Sequence, residues 1–531
     1  MRDYVTFILN NEVQTFSGLA GDTTLLAWLR RTRGLTGSKE GCAEGDCGAC
    51  TVVVARPDNT QSGTGPNPDG TIIWRPVNAC ILFMGMLEGA SVTTIEGLSD
   101  GAGGLHPCQQ AMVDFHASQC GFCTPGFVMS LFAAWCNGEG LQPDAIDDTL
   151  AGNLCRCTGY RPIVDAGLSL ASQSLADHSL ADHSLADHNL PAAELARRQT
   201  EAKLMAEIAH DQTVRLADDD SPSPVAFVAP AAADEFTSYY ADNPDATIVS
   251  GATDIGLWVT KQQRHLPVML WTGRVAGFTQ TTQMDDHQMD DQIETGPYMR
   301  IGPAVTHQQI LSDLALRWPD FAEVMRRFGS LQVRSSGTIC GNIANGSPIG
   351  DLPPMLIALS AEVELTHGPH VRRLPLAAFF RDYGVQDRRP GEYVSAILLP
   401  LAPAAHLRCY KISKRFDQDI SAVMGAFTIT VTDNVITGAR LAFGGMAATP
   451  KRATHVEAAL AGAPFTAASF RAAAAHMADD FTPISDMRAS AAYRLQVARN
   501  LVVKYGLDLN GAGAVRLAGQ SGLALVADGG G

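Results

Sequence analysis

A chain of 531 residues with 46% hydrophobic and 18% charged side chains has the make-up of a folded polypeptide with several cores. Its net charge of −16 excludes nucleic acid, whose phosphate backbone demands a basic face, and disfavours anionic membrane surfaces. No apolar run is long enough to span a bilayer, and the N-terminus MRDYVTFILNNE lacks the features of a signal peptide, so the expectation is a cytoplasmic protein without a membrane partner.

Residues 4–9 (YVTFIL) and 12–16 (EVQTF) read as short strands around an Asn-rich turn. Asp22 or Thr23 is then placed to cap a helix, TTLLAWLRRTRG, with Leu25, Leu26 and Leu29 on one face. GCAEGDCGAC follows, with Cys42, Cys47 and Cys50 at C-x4-C-x2-C spacing, and Cys80 stands downstream in VNAC. This is the plant-type [2Fe-2S] pattern, in which a loop of small residues wraps a cluster and points N–H groups at its sulfurs. Zinc also takes four thiolates, but more often from two separated C-x2-C knuckles. TVVVA at 51–55, a polar loop at 56–70 and the strand TIIWRPV complete the order expected of a ferredoxin-like β-grasp unit.

From about 91 the pattern turns helical. Cys120 and Cys123 form C-x2-C in QCGFCTPG, and Cys155 and Cys157 form C-x-C in GNLCRCTGYRP. Two short loops at neighbouring helix ends can each present a thiolate pair to one cluster held by a small bundle, whereas C-x-C is unusual for zinc. The remaining four of the 12 cysteines, Cys108, Cys136, Cys340 and Cys409, read as packed side chains. SLADH occurs three times over 174–188. His178, His183 and His188, five apart, share no helical face, so the repeat reads as a duplicated linker within 170–222.

In the second half, TIVSGATDIG at 247–256 is a buried-type strand ending in a Gly/Thr/Asp turn, and SGTICGNIANGSPIGD at 336–351 is a similar turn. Exposed backbone N–H groups in such turns suit a phosphate. Neither stretch fits G-x-G-x-x-G or the P-loop, which leaves a Rossmann site or an NTPase unsupported; beside redox clusters, a diphosphate-bearing cofactor is the reading. Beyond 400, the alternation in AFTITV and ARLAFGG predicts a small sheet faced by Ala-rich helices to about 505. The tail ending VADGGG is expected to be disordered.

Taken in order, GCAEGDCGAC, VNAC, QCGFCTPG, GNLCRCTGYRP, TIVSGATDIG, SGTICGNIANGSPIGD, KISKRFDQDIS and GGMAATPKRA resemble the iron–sulfur and flavin part of the molybdenum hydroxylases of the xanthine dehydrogenase type. More narrowly, they resemble the small subunit of bacterial two-subunit enzymes. The resemblance implies a multidomain α+β chain. A ferredoxin-like β-grasp [2Fe-2S] domain would occupy 1–90, a helical-bundle [2Fe-2S] domain 91–169 and a linker 170–222. An FAD-binding α+β domain of the vanillyl-alcohol oxidase type would occupy 223–402 and a C-terminal α+β domain 403–510, with a tail at 511–531. It further implies one cluster on Cys42, Cys47, Cys50 and Cys80, and a second on Cys120, Cys123, Cys155 and Cys157. FAD would contact Thr247, Ile248, Val249, Ser250, Gly251, Ala252, Thr253, Asp254, Phe328, Thr338, Ile339, Cys340, Gly341, Asn342, Asp351, Val394 and Lys411, and Tyr383 would lie near the nicotinamide side.

The same resemblance implies that the catalytic step lies elsewhere, on a large subunit carrying molybdopterin and a catalytic glutamate, since the sequence ends before such a domain could begin. Expected partners are that subunit, in an (αβ)2 assembly, and NAD+ as electron acceptor, with xanthine or hypoxanthine hydroxylated on the large subunit. Two other readings stand beside it. The chain could serve a dehydrogenase for another N-heterocycle or an aldehyde, or it could be a non-catalytic electron carrier or flavin-dependent sensor.

Overall fold

A computed structural model describes residues 1–57, 72–99, 104–174, 192–284, 296–402, 404 and 406–511. The SLADH repeat beyond Ser174, the polar loop from 58 and the tail from 512 lie outside the described residues. The chain divides into two compact units, Met1–Gln280 with Gly329–Thr338, and Thr281–Phe328 with Ile339–Gly531.

The first unit opens with the strands Tyr4–Leu9 and Glu12–Ser17, paired antiparallel from Tyr4↔Ser17 to Leu9↔Glu12. Asn10 and Asn11 turn the hairpin with φ of 51° and 68°, a left-handed pair that asparagine tolerates and most residues do not. Ser91–Thr93 pairs parallel with the first strand and antiparallel with Thr51–Pro57, which pairs in turn with Ile72–Asn78. The helix Leu25–Arg31 crosses this sheet, burying Leu25, Leu26, Trp28 and Leu29. Its cap is Thr24, not Asp22 or Thr23: the Thr24 hydroxyl accepts from the Ala27 N–H at 3.3 Å.

A helical bundle follows, formed by Pro107–Asp114, Thr124–Asn137, Ile146–Leu150 and Arg161–Ser174. Its core gathers Phe127, Leu131, Phe132, Trp135, Ile163 and Leu170. A four-stranded sheet then adds Val214–Leu216, Ala226–Ala229, Val268–Trp271 and Thr247–Val249, the last three parallel. Phe227, Met269 and Trp271 of that sheet share one core with Phe83 and Leu87 of the β-grasp domain.

The stretch expected to be linker, 170–222, needs correcting. The helix Arg161–Ser174 extends into it, Ala192–Ile208 is a further helix, and Val214–Leu216 is the edge strand of the four-stranded sheet. Glu201 is fully buried and accepts from the Trp74 indole N–H at 3.0 Å, while the Arg198 guanidinium lies 4.6 Å over the Trp74 ring. Glu194 pairs with Arg197 at 2.6 Å and Arg198 at 3.0 Å. This helix docks through charge networks and cation–π contacts, so a search for apolar periodicity passes over it.

In the second unit, the strands Thr281–Met284, Tyr298–Ile301, Tyr393–Pro400, Glu362–His367 and His370–Pro375 form one antiparallel sheet in that spatial order. Its core includes Ile301, Phe321, Met355, Val363 and Ile397. A second sheet, from Arg408–Ile412, Val423–Thr432, Val435–Gly444 and Lys451–Arg452, is faced by the helices Thr454–Leu460 and Ala491–Leu509. Phe427, Phe443, Phe470 and Tyr505 interlock between them, with ring centroids 5.0–5.5 Å apart. This is the sheet-and-helix arrangement expected beyond residue 400.

Candidate metal centres and flavin loops

The loop after the first helix carries Cys42, Cys47 and Cys50, and the end of Ile72–Asn78 delivers Cys80. Cys42 acts electrostatically on Cys47 and Cys80, and Cys50 on Cys80, so the four thiols are close neighbours. The loop coils tightly because Ala43, Gly45 and Gly48 adopt φ of 55°, 81° and 69°. That coil turns the N–H groups of Glu44 and Asp46 onto the Cys42 sulfur, at 3.5 and 3.3 Å. The Cys47 and Cys80 thiols and these N–H groups hold the Cys42 thiol far below its ordinary value, while Cys47 and Cys80 are driven up by the neighbouring Cys42. Four sulfurs this close cannot all ionise unless positive charge sits among them.

The second quartet sits at helix ends of the bundle. Cys120 is perturbed by Cys157 and Cys123 by Cys155, which places the four thiols as near neighbours in two pairs. The Phe122 N–H and the Cys157 thiol hold the Cys120 thiol below its ordinary value. Burial and the neighbouring Cys155 push Cys123 up to about 12. At Cys155 burial pushes the thiol up, but the Thr158 hydroxyl at 3.2 Å and N–H outweigh it and the net shift is downward. Converging thiols and backbone N–H groups aimed at sulfur fit a cluster with anionic ligands at both places. Among the described residues no three His, Cys, Asp or Glu side chains close on a point suited to one metal ion. A two-iron cluster needs no such point, because each iron takes two cysteines and two sulfides.

The quartets are joined by main chain. The Leu154 N–H, next to Cys155, donates to the Cys47 carbonyl at 3.0 Å, and the Asn153 side-chain amide donates to the Gly48 carbonyl at 3.1 Å. Sequence reasoning passed over Asn153, and its place beside a ligand is the only local signal for it.

In the first unit the flavin-type turn leaves the strand Thr247–Val249 at Ser250 and enters the short helix Ile255–Thr260 at Asp254. A β-carbon on Gly251 would come within 1.9 Å of the Ser336 carbonyl oxygen, so only glycine allows the turn and residues 336–337 to meet. Ala252 has φ of 58°, the Ser250 hydroxyl bonds Thr272 at 2.6 Å, and the Trp271 indole holds the Ser250 carbonyl at 3.1 Å. The helix after the turn presses on the first quartet. A β-carbon on Gly256 would lie 2.6 Å from the Ile81 β-carbon, beside Cys80, and the Thr260 hydroxyl donates to the Ala43 carbonyl at 2.7 Å. Neither residue was marked by its sequence context.

In the second unit Asp351 and Lys411, expected as separate FAD contacts, form a buried ion pair of 2.6 Å, and Ser421 donates to the other Asp351 oxygen. Asn342 keeps a buried Oδ1 without a hydrogen-bond partner among the described residues, which fits an acceptor facing a ligand donor. Cys340 turns its thiol to the Ile301 and Gly302 carbonyls, and Ile339 and Val394 are buried in the core. Those three positions could therefore touch a cofactor only through backbone. Phe328 meets the His307 ring at a tilt of 58°, with centroids 4.8 Å apart, and Tyr383 stands in solvent.

Comparison with known proteins assigns this domain set. Residues 7–84 match the 2Fe-2S iron-sulfur cluster binding domain, 94–168 the [2Fe-2S] binding domain, 223–402 the FAD binding domain in molybdopterin dehydrogenase, and 408–509 the CO dehydrogenase flavoprotein C-terminal domain. The chain belongs to the molybdenum hydroxylase family, as its iron–sulfur and flavin part. Within that family it is 30% identical over 496 residues to xanthine dehydrogenase of Emericella nidulans, covering 87% of this chain and 35% of the relative. It is also 30% identical over 484 residues to xanthine dehydrogenase 2 of Arabidopsis thaliana, covering 83% of this chain and 35% of the relative. This hydroxylase chain thus spans about a third of the length of these relatives. Among solved structures, quinoline 2-oxidoreductase from Pseudomonas putida 86 aligns at TM-score 0.46 and 22% identity, over 53% of this chain and 94% of that one. No helix among the described residues is long and apolar enough to cross a membrane.

Proposed function

We propose that this chain is the electron-transfer subunit of a cytoplasmic xanthine dehydrogenase, working with a separate molybdopterin subunit in an (αβ)2 assembly and delivering electrons to NAD+. The observation that carries the reading is the contact between the helix Ile255–Thr260, at the end of the flavin-type turn, and the Ala43 and Ile81 backbone beside two of the cluster cysteines. When bound, the clusters supply one-electron steps and FAD converts them to a two-electron transfer. Oxidising a purine C–H with water oxygen on the partner releases two electrons and two protons; a hydride to NAD+ takes two electrons and one of the protons.

On this reading the residues divide the work as follows from the resemblance. Cys42, Cys47, Cys50 and Cys80 hold the inner cluster, and Cys120, Cys123, Cys155 and Cys157 the outer one. FAD is contacted by the turn Thr247–Asp254, by Thr338, by the backbone of Ile339, Cys340, Gly341 and Val394, by Asn342 Oδ1 and by Phe328. The Asp351–Lys411 pair fixes the start of the helix Leu352–Ala358, and Tyr383 faces the nicotinamide. Phe122, Leu154 and Tyr160, all more than a third exposed, lie within three residues of Cys120, Cys155 or Cys157 along the chain. An apolar rim of this kind supports docking of the molybdopterin subunit there. The names of the relatives favour xanthine as substrate.

Purification with whatever binds the chain, followed by metal and flavin analysis, tests this directly. Iron and FAD on this chain, molybdenum in a second polypeptide and xanthine-dependent reduction of NAD+ are expected. Turnover of another heterocycle or an aldehyde would reassign the substrate, and iron without flavin or a molybdenum partner would make the chain an electron carrier.

A further inference from the structure

Gln332 lies on the short helix Leu331–Ser336, inside the FAD-binding domain match, yet its side chain enters the seam between the two cysteine quartets. It is 1% exposed, and its Nε2 donates toward Thr51 Oγ1 at 3.2 Å, Ser130 Oγ at 3.1 Å and Asn153 Oδ1 at 3.1 Å. Each acceptor is tied to a cluster ligand. Thr51 follows Cys50, Asn153 stands two residues before Cys155, and Ser130 lies on the helix that begins just after Cys123.

The acceptors are themselves interlinked. Ser130 donates to Asn153 Oδ1 at 2.7 Å, Thr51 donates to the Gly48 carbonyl at 2.6 Å, and the Asn153 amide donates to the same carbonyl at 3.1 Å. Beside them runs the Leu154-to-Cys47 bond. The site is shaped for this amide, since a β-carbon on Gly152 would fall 1.9 Å from Gln332 Oε1. That Oε1 is buried with no hydrogen-bond partner among the described residues, so the seam uses the donor end of the amide and not the acceptor end.

We infer that Gln332 is a positioning residue that fixes the separation of the two clusters, a role that rests on the electron-transfer reading above. Its two N–H hydrogens are shared among three oxygens, of which Asn153 Oδ1 also accepts from Ser130 and Thr51 Oγ1 from the Asn153 amide at 3.4 Å. Loss of the donor leaves those two bonds to hold the seam without the third strap, and the Cys47–Leu154 contact shifts with them. In the step this serves, one electron leaves one cluster and reduces the other, with no bond made or broken, so distance governs the rate.

The test uses the full chain with its bound cofactors and low-temperature EPR of the fully reduced protein. The dipolar splitting between two reduced clusters falls as the cube of their separation and so reads geometry without turnover. Gln332→Leu is expected to keep wild-type iron and FAD content while the splitting narrows or spreads, and electron exchange between the clusters slows severalfold. Gln332→Glu presents an extra acceptor and should disturb the splitting at high pH, then recover it as the introduced carboxyl protonates and donates. If wild type shows two coupled clusters and both variants show the same splitting, the inference is overturned. Should Gln332→Leu fail to fold, the pH response of Gln332→Glu still decides, because a purely structural side chain would give none. Wild type without two cluster signals would overturn the electron-transfer reading instead.

Discussion

Cys50 and Cys80 are 2% and 3% exposed, whereas Cys120 and Cys157 stand in solvent. Both quartets use four cysteines and backbone N–H donors, so ligand chemistry does not separate them. Enclosure does. The inner quartet has a coiled loop on one side and the helix Ile255–Thr260 on another; the outer quartet has two short loops at helix ends and a bare apolar rim. Covering a cluster removes water from its sulfurs and changes the cost of adding an electron. The inner quartet is thus the more covered by this chain, with Cys50 and Cys80 buried and Cys42 and Cys47 half-buried, while Cys120 and Cys157 of the outer one are exposed.

The largest effect should come from removing a ligand on the enclosed side. Cys80→Ala is expected to lose one cluster's share of iron and to lower the unfolding midpoint clearly, because ligand-to-metal binding energy is also folding energy. Cys157→Ala should lose the same share of iron with a much smaller fall in the midpoint, since Cys157 is exposed and its removal opens no cavity in a core. Iron analysis with thermal unfolding of both variants checks this; equal shifts would break the contrast. Next in size is a difference in lability. In the isolated chain a ferrous chelator should strip the outer cluster well before the inner one, read from the order in which the two EPR signals fade, and addition of the proposed molybdopterin subunit should slow the outer loss alone.

The two cysteine quartets were legible in the sequence as proposed cluster ligands because such chemistry is local: a loop that wraps a cluster needs cysteines and small residues at fixed spacing, whatever surrounds it. The first hairpin was legible for the same reason, in Asn10 and Asn11. What escaped was long-range. Glu201 reads as an ordinary surface residue until Trp74 covers it, and Gln332 is an unremarked polar residue in LQV until Thr51, Ser130 and Asn153 converge on it. Asp351 and Lys411 stood out through resemblance, but nothing in either motif announces that they bond each other. Enclosure belongs to this second class, since the burial of Cys50 and Cys80 depends on distant segments that close over them.

A smaller effect is expected where the flavin-turn helix touches the inner loop. Gly256→Val drives side-chain atoms into Ile81, whose β-carbon and carbonyl oxygen lie 2.6 and 2.9 Å from where the new β-carbon would be. Overpacking of this kind costs about 1–3 kcal/mol. Urea unfolding should register it, and the inner EPR signal should change shape while the outer one stays as it was.

The smallest effect isolates a single hydrogen bond. The Thr260 hydroxyl lies 2.7 Å from the Ala43 carbonyl and 3.0 Å from that of Gly256, and with one proton it can donate to only one of them at a time. The shorter contact, to a residue held at φ of 55° beside Cys42, ties helix to cluster loop. Thr260→Val keeps the branched shape but removes the donor, at a cost of about 1 kcal/mol. Thr260→Ser should restore most of that stability. Because the bond reaches only the inner loop, chelation of the inner cluster should quicken in the valine variant and chelation of the outer one should not. A change in the outer cluster alone would mean that the helix braces the bundle, and that the enclosure of the inner quartet has another origin.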